Sequence, residues 1–327
     1  MITRRLASTV SVSPQDKSPR KIVLVGAGFL GSYVAKALIA DPRNRIQIVS
    51  RHPQSLYSKL STLGSQILPP ASIDITSPSS PAELRKTFKG ASAVVSMAGL
   101  LVGSDKQMKA LQEDGAKRVG EAAAEEGVGR VVGISAIGAN PQGATAYALQ
   151  LWQSTSRCFQ SLEAGSLGSR DVARAVEICC RDDPIVVSQV AGRIIEAGGP
   201  DILTYREIME LVLRYTNLQG HRAIISLPYW VGSVQGFVLE MLPETMFTLT
   251  RDQVTQLRED NIVSPHPPMF GQNFEDLLRA FPSSAPSSAP PGDAGLKSVY
   301  DILPTYLGVG KREEGKRTHG RKSPQKD

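Results

Sequence analysis

The sequence predicts an α/β protein built on a doubly wound parallel sheet, with a small, mostly helical C-terminal lobe. Short β-branched apolar runs alternate with amphipathic helical segments between Lys21 and Ser135, and such alternation is typical of parallel strands joined by crossover helices. A glycine-rich turn separates the first run from the first helix. Since 41% of the 327 residues are hydrophobic and 21% are charged, the chain can bury one large core or two smaller ones.

The predicted elements follow one another along the chain. The strands are Lys21–Val25, Arg45–Ser50, a segment ending at Ser72–Ile75, Ala93–Met97, Arg130–Ser135 and, after a gap, Gly192–Ala197. Four helix starts carry the capping-box pattern, in which a Ser or Thr is followed by Glu or Gln at the third position: Ser80 with Glu83, Ser104 with Gln107, Thr204 with Glu207 and Thr250 with Gln253. The second of these opens one long predicted helix that runs through Ala124, and no clear strand is predicted between Tyr147 and Leu162.

The charge distribution argues against a nucleic-acid-binding role. The formal net charge is +6, but the first 20 residues and the residues from Lys311 onward together carry +7, which leaves the body slightly acidic. A nucleic-acid binder would carry a basic stripe on its folded body. The basic, Ser/Thr-rich start resembles a mitochondrial presequence, and a disordered start without a targeting role is the alternative.

The turn after the first predicted strand reads Gly26-Ala27-Gly28-Phe29-Leu30-Gly31. Its glycines let the backbone approach a pyrophosphate, whose charge is then held by the N–H groups and dipole at the start of the following helix. Because a strand precedes the turn and a helix follows it, we interpret it as the dinucleotide-binding turn of a Rossmann domain. The alternative is a turn retained only for packing.

Three residue pairs lie where the next strands end. The second strand ends in Ser50-Arg51 instead of the Asp or Glu that would contact the ribose hydroxyls of NAD. An arginine can pair with the 2′-phosphate of NADP, so the sequence predicts NADP(H) over NAD(H); a solvated surface arginine is the alternative. Asp74-Ile75 is expected to contact adenine, with the carboxylate accepting from the exocyclic amine and the isoleucine forming a wall. Ala98-Gly99 leaves room for the nicotinamide ribose.

These patterns divide the chain into four segments. Residues 1–20 are the presequence-like start, 21–180 the nucleotide-binding domain, 181–280 the small C-terminal lobe, and 281–327 a Ser/Pro-rich linker with a basic tail. No run of about 18 uninterrupted apolar residues is present, so no membrane span is predicted. A helix over 229–242 could still lie on a membrane surface, although packing on the protein's own core is the alternative.

Several motifs together resemble the atypical extended short-chain dehydrogenase/reductase superfamily: V-G-A-G-F-L-G, S-R-H, I-D-I-T, S-M-A-G and V-V-G-I-S-A-I-G-A-N. Three later segments are similar to the Rossmann-type accessory subunit of mitochondrial complex I and to the related fungal protein of the coenzyme Q synthesis complex: D-V-A-R-A-V-E, G-G-P-D-I-L-T-Y-R-E-I and L-T-R-D-Q-V-T-Q-L-R-E-D-N-I-V. This resemblance implies a tightly held NADP(H) with a structural or regulatory role. It also implies partners in a complex on the matrix side of the inner mitochondrial membrane.

The sequence departs from this superfamily at its catalytic residues. In active members a Lys four residues after a Tyr lowers the pKa of the phenol, and a Ser or Thr from the fifth strand orients it. Tyr147 and Ser135 match the Tyr and the Ser, but Leu151 occupies the position of the Lys. The glycine turn also differs, because Val25 stands at the first glycine of the superfamily's longer motif.

The interval after Tyr147 is also short. Asp171 lies only 24 positions after it, whereas members of the superfamily fit a helix, the sixth strand and a substrate loop there, so the resemblance implies a deletion that removes the sixth strand and the wall of the substrate site. We therefore expect a non-catalytic, NADP(H)-binding accessory or assembly protein of complex I or of the coenzyme Q synthesis complex. The alternative is an NADP(H)-dependent reductase or epimerase of the short-chain dehydrogenase type.

Overall fold

The computed structural model describes residues 18–26, 28–100, 104–136, 160–164, 168–240, 263, 271–281 and 295–307. Within these residues eight strands form one parallel sheet. They are β1 (Arg20–Val25), β2 (Asn44–Ser50), β3 (Ala71–Ser72), β4 (Ala91–Ser96), β5 (Val131–Ala136), β6 (Gln160–Ala164), β7 (Ile194–Ala197) and β8 (Gly271–Asn273). Their spatial order is β3-β2-β1-β4-β5-β6-β7-β8. The order reverses between β1 and β4, and ligands of such sheets bind in the crevice at the carboxyl ends of the strands there.

Helices connect the strands. They are α1 (Phe29–Leu38), α2 (Gln54–Leu60), α3 (Ser80–Phe88), α4 (Asp105–Met108), α5 (Ala116–Glu125), α6 (Ser169–Cys179), α7 (Pro184–Val190), α8 (Tyr205–Tyr215), α9 (Tyr229–Glu240), α10 (Phe274–Ala280) and α11 (Val299–Leu307). A π-helical segment, Lys109–Gly115, joins α4 to α5. Across the described part of the chain, every helix is too short or too polar to cross a membrane.

The strand β1 shows why helices must cover both faces of the sheet. Ile22 and Leu24 lie in a core with residues of α1, α6 and α10, whereas Val23 and Val25 lie in a second core with residues of α3 and α5. None of these four side chains is more than 1% exposed. Because successive side chains of a strand point to opposite faces, burial of all four requires a helical layer on each side. The predicted doubly wound α/β fold is confirmed.

Two of the four predicted capping boxes are confirmed, and the one at Thr250 and Gln253 lies outside the described residues. The Thr204 hydroxyl accepts from the Glu207 amide while the Glu207 carboxylate accepts from the Thr204 amide, and Ser104 and Gln107 make the same reciprocal pair. The predicted box at Ser80 is wrong, because α3 is preceded by Ser79 and makes no side-chain cap bond. The buried Ser80 hydroxyl instead donates to the Ile75 carbonyl oxygen at 3.3 Å, so a contact with the turn before the helix uses the group that the cap would need.

The third strand is shorter than predicted. It ends at Ser72, and the residues after it turn away because the Asp74 carboxylate accepts hydrogen bonds from the Thr76 amide at 2.9 Å and the Thr76 hydroxyl at 2.7 Å. Such a local side-chain bond offers the backbone an alternative to the sheet ladder. Asp74 and Ile75 therefore follow the strand instead of ending it.

The predicted loss of the sixth strand is wrong. β6 lies between β5 and β7, with Val132 paired to Gln160 and Ser161 paired to Ile194. A strand in this place satisfies backbone groups on two neighbours at once, so position in the sheet can favour it over a weak intrinsic preference. Its sequence, Q-S-L-E-A, contains no β-branched or aromatic residue that would have indicated a strand. The edge of β5 is thus covered by β6.

An ionic cluster closes the amino end of the sheet. The buried Arg20 guanidinium donates to Asn44 Oδ1 at 2.7 Å and to Asp41 Oδ2 at 3.3 Å. Arg43 donates to the same Asp41 oxygen at 2.8 Å and to Asp182 at 3.1 Å. Burial by itself raises the pKa of Asp41, but the hydrogen bonds and charge of Arg43, with the charge of Arg20, outweigh it and hold the pKa below the usual value.

This cluster predicts a loss of stability in acid. Because its folded-state pKa is lowered, ionised Asp41 stabilises the fold above its unfolded pKa of about 3.9, and that stabilisation disappears as the pH falls through the lower folded value. Asp41→Asn should lower the free energy of unfolding at pH 7 on the order of 2 kcal/mol, and the difference should shrink near pH 3. Urea titrations at both pH values measure this; an equal difference at both would contradict the assignment.

Candidate dinucleotide-binding site

The chain leaves β1 through a backbone conformation that favours glycine. Gly26 has φ of +109°, and its amide donates to the Val49 carbonyl oxygen at 2.8 Å. A Cβ atom at Gly26 would lie 3.0 Å from the Met97 carbonyl carbon and 3.1 Å from the Ala98 nitrogen. The turn is therefore pressed against the backbone that follows β4, with no space for a side chain.

The helix α1 begins directly after this turn. Gly28 is its N-cap, and no side chain caps its first amides within the described residues. A Cβ atom at Gly28 would have no heavy atom within 4 Å, whereas one at Gly31 would lie 3.0 Å from the Gly26 carbonyl oxygen. Gly28 thus faces open space at the positive end of a helix, and Gly31 allows α1 to pack closely on the turn. Uncapped helical amides beside open space are what a phosphate group requires.

An open cleft of about 650 Å³ lies at the carboxyl ends of β1, β2, β3 and β4. Most of the residues predicted to bind the cofactor line it: Gly26, Gly28, Ser50, Arg51, Asp74, Ile75, Ala98 and Gly99. Phe29, Leu30 and Gly31 do not line it; the Phe29 side chain is exposed and Leu30 packs against the core. These three residues contribute backbone at the start of α1.

The polar groups of the cleft fit a dinucleotide. The Ser50 hydroxyl is buried and has no hydrogen-bond partner in the described part of the chain, so it is available to a ligand. Arg51 is exposed at the cleft. Hydrogen bonds from the Thr76 hydroxyl and amide lower the pKa of Asp74, and the charge of Arg51 lowers it further. Asp74 is therefore a carboxylate at neutral pH and can accept a hydrogen bond from an amine.

The cleft has hydrophobic walls that were not predicted from the sequence. Met97 and Leu100 flank the predicted Ala98-Gly99 pair, and Leu111 reaches the cleft from the π-helical segment. Gly115, at the end of that segment, is packed so closely that a Cβ there would lie 3.0 Å from the Ile75 side chain. A glycine within a predicted helix was the available signal, because such a residue often marks a close packing contact.

The catalytic residues expected by resemblance are not brought together among the described residues. Ser135 is buried near the carboxyl end of β5, and its hydroxyl has no hydrogen-bond partner in the described part of the chain. It is not among the residues that line the cleft. Tyr147 and Leu151 lie outside the described residues. The structure therefore provides no geometry for a proton-transfer pair.

A second cavity, of about 490 Å³, lies where α11 packs against the starts of α1 and α6. Tyr33 and Tyr306 line it, and burial raises the pKa of Asp171, which also lines it. The Tyr306 ring lies 6.1 Å from the Phe29 ring, measured between centroids. This cavity shares no lining residue with the cleft.

Comparison with known proteins identifies the class of the first domain. A family model described as NAD(P)H-binding matches residues 26–175, the segment that supplies most of the cleft. No curated protein matches the sequence. Residues 26–175 are therefore similar to NAD(P)H-binding domains, and the parallel sheet of the described residues agrees with that match.

Solved structures align with this chain at low sequence identity, and the first of them shares the fold. The terminal R domain from the myxalamid PKS-NRPS biosynthetic pathway aligns with a TM-score of 0.60 and 16% identity over 94% of this chain and 93% of that one. UDP-glucuronic acid 4-epimerase from Bacillus cereus, in complex with NAD, aligns with a TM-score of 0.49 and 13% identity over 60% of this chain and 83% of that one. Pen from Bacillus thuringiensis has a TM-score of 0.40 and 15% identity over 46% of this chain, and only 52% of that chain is covered.

Proposed function

We propose that this chain binds NADP(H) and holds it without turnover, as an accessory or assembly protein of a mitochondrial inner-membrane complex. The observation that carries the choice of cofactor is Arg51, an exposed guanidinium that lines the cleft directly after β2. A carboxylate at that place would repel a 2′-phosphate, whereas a guanidinium can pair with it through two hydrogen bonds. Asp74, the acid among the described residues that line the cleft, already accepts two hydrogen bonds from Thr76.

This proposal predicts a cofactor preference that depends on one side chain. The protein should bind NADPH more tightly than NADH, and Arg51→Ala should remove most of the difference, on the order of 1–3 kcal/mol for a charge-assisted pair. Isothermal titration with both nucleotides measures it. Arg45→Ala is the matched control, because Arg45 lies at the opposite end of β2 and donates to the Pro42 carbonyl oxygen. Equal affinities for NADPH and NADH in the unmutated protein would refute the assignment.

The absence of turnover rests on Leu151. A bound nicotinamide supplies or accepts hydride, but carbonyl reduction also needs a proton donor on the protein. A leucine four residues after Tyr147 cannot lower the pKa of the phenol or hold the nicotinamide ribose. The protein should therefore retain bound NADP(H) through purification and show no substrate-dependent oxidation of it.

The mitochondrial assignment rests on the sequence: the presequence-like start, and the later motifs shared with the complex I subunit and the coenzyme Q synthesis protein. An exposed apolar surface on α9 is consistent with peripheral contact with a membrane through 229–242, since Trp230 is 68% and Val234 is 56% exposed. Co-migration of the tagged protein with complex I or with the coenzyme Q synthesis complex on native gels tests the proposal. A soluble cytosolic monomer would refute it.

The second candidate is an NADP(H)-dependent reductase or epimerase of the short-chain dehydrogenase type. The buried Ser135 hydroxyl, which has no hydrogen-bond partner among the described residues, favours it, because a catalytic Ser occupies the end of the fifth strand in active members. Carbonyl turnover that is lost in both Ser135→Ala and Tyr147→Phe would establish this activity. Turnover that persists in both variants would exclude these residues from the reaction.

A further inference from the structure

The turn after β4 forms the wall of the cleft opposite Arg51, and its two ends are fixed differently. At its start, the Met97 amide donates to the Val25 carbonyl oxygen at 2.8 Å. At its end, the Leu100 carbonyl oxygen accepts from Gln112 Nε2 at 3.2 Å. Between these anchors lie Ala98 and Gly99, whose backbone faces the cleft. Since glycine restricts the backbone least, this turn depends on its anchors for a defined shape.

Gln112 is an unusual residue for its place in the fold. It is 2% exposed and shares the buried face of its helix with Met108, Gly115 and Val119. Its Oε1 has no hydrogen-bond partner in the described part of the chain, so the side chain is buried at the expense of one unpaired acceptor. A carbonyl oxygen can only accept, which identifies the amide nitrogen as the atom that faces Leu100.

The backbone around Gln112 is unusual as well. The π-helical segment Lys109–Gly115 interrupts what the sequence predicts as one helix, and π-helical turns occur frequently at functional sites. Three residues of this segment contribute to the nucleotide site, one by lining the cleft and two by packing against its walls. Leu111 lines the cleft, Gln112 holds Leu100, and Gly115 admits the Ile75 side chain that forms the expected adenine wall.

We propose that Gln112 is a positioning residue for the dinucleotide: it fixes the Met97–Leu100 turn in the shape that receives the cofactor, without touching the cofactor itself. This inference rests on the proposed function, because the ligand of the cleft is taken to be NADP(H). Without the Gln112 bond the turn samples other shapes, and the apparent dissociation constant rises by the inverse of the fraction that remains competent. One neutral hydrogen bond corresponds to a loss of affinity of roughly three- to tenfold.

Two substitutions at this position separate hydrogen bonding from packing. Gln112→Met keeps the volume and removes both polar atoms, so it should weaken NADP⁺ binding equally at every pH while the melting temperature of the free protein is retained. Gln112→Glu keeps the shape, but it can donate to the Leu100 oxygen only while protonated. Burial raises the pKa of such a carboxyl above its usual value of about 4.3. Its affinity relative to wild type should therefore be near unity in mild acid and fall roughly tenfold as the pH rises to about 8.5.

The matched control is Gln107→Glu, which makes the same chemical change on the exposed part of α4. Gln107 Oε1 accepts from the Ser104 amide, and a carboxylate would accept in the same way. This variant should bind NADP⁺ as the wild type does at every pH. Each variant is compared with wild type at the same pH, so titration of the nucleotide's own phosphate cancels.

A second measurement keeps the inference independent of nucleotide binding. Amide hydrogen exchange of residues 97–100 in the free protein should be faster in Gln112→Met than in wild type, and unchanged in Gln107→Glu. Unchanged exchange, or Gln112→Glu binding without a pH-dependent loss, would overturn the positioning role. If wild-type protein binds no nucleotide, the proposed function fails, while the exchange result still decides whether Gln112 fixes the turn.

Discussion

Gly28→Val is expected to abolish the rise in melting temperature that NADPH produces, while the melting temperature of the free protein changes little. A Cβ atom at Gly28 meets no protein atom within 4 Å, and φ of −77° is open to any residue, so the fold tolerates the change. The valine would instead occupy the space in front of the α1 amides, where we place the pyrophosphate.

The size of this effect follows from linkage. A ligand that binds only the native state stabilises it by about 2.7 kcal/mol at a concentration of 100 times its dissociation constant. Differential scanning fluorimetry with and without NADPH measures the shift for wild type and mutant. Gly129→Val is the matched control, because a Cβ there makes only an ordinary contact, 3.7 Å from the Ser92 oxygen. A wild-type protein that shows no shift at millimolar nucleotide would mean that the glycine turn binds no cofactor.

The second large effect falls on the fold. Gly26→Ala should lower the free energy of unfolding on the order of 3 kcal/mol even without nucleotide. Two causes add: φ of +109° is a conformation that residues with a side chain rarely adopt, and the new methyl group would meet backbone atoms of Met97 and Ala98 at 3.0 to 3.1 Å. The Met97 amide is bonded to the Val25 carbonyl oxygen, so this backbone cannot move aside as a flexible side chain can.

Urea unfolding of the free protein measures this loss, and Gly90→Ala isolates one of its causes. Gly90 also has positive φ, +71°, but a Cβ there would meet nothing within 4 Å. That substitution should cost only the conformational strain, about 1 kcal/mol. If Gly26→Ala is no more destabilising than Gly90→Ala, the close approach between the two turns is not a source of strain.

The sequence predicted the part of the site that local chemistry determines. The glycine turn is recognisable because a strand and a helix flank it, and Ser50-Arg51 because it ends the strand that follows. Their positions in the cleft depend only on the parallel order of β1 and β2. The capping boxes at Ser104 and Thr204 were predictable for the same reason, since each involves residues within one helical turn.

The remaining parts depend on contacts between distant segments. β6 is a strand because β5 and β7 lie on either side, and nothing in Q-S-L-E-A indicates it. The sequence of the π-helical segment predicts an ordinary helix. The packing of Gly115 on Ile75 forms only when both elements are in place, so it cannot be seen in the sequence. The Ser80 hydroxyl is the exception, since its acceptor, the Ile75 carbonyl oxygen, lies only five residues before it, in the turn that leads into α3.

The strand order bears on how the chain assembles as it is synthesised. From β5 onward each described strand pairs with the described strand made before it, so the sheet can extend in one direction in the order of translation. At every stage the newest strand is the exposed edge, and an unpaired edge readily joins another chain. If translation stopped late in the message, the released chain would therefore form a smaller sheet. The outer edge of its last strand would have no hydrogen-bond partner. Cellular protein quality control would then have to recognise a fragment that is largely folded but prone to aggregate through that edge.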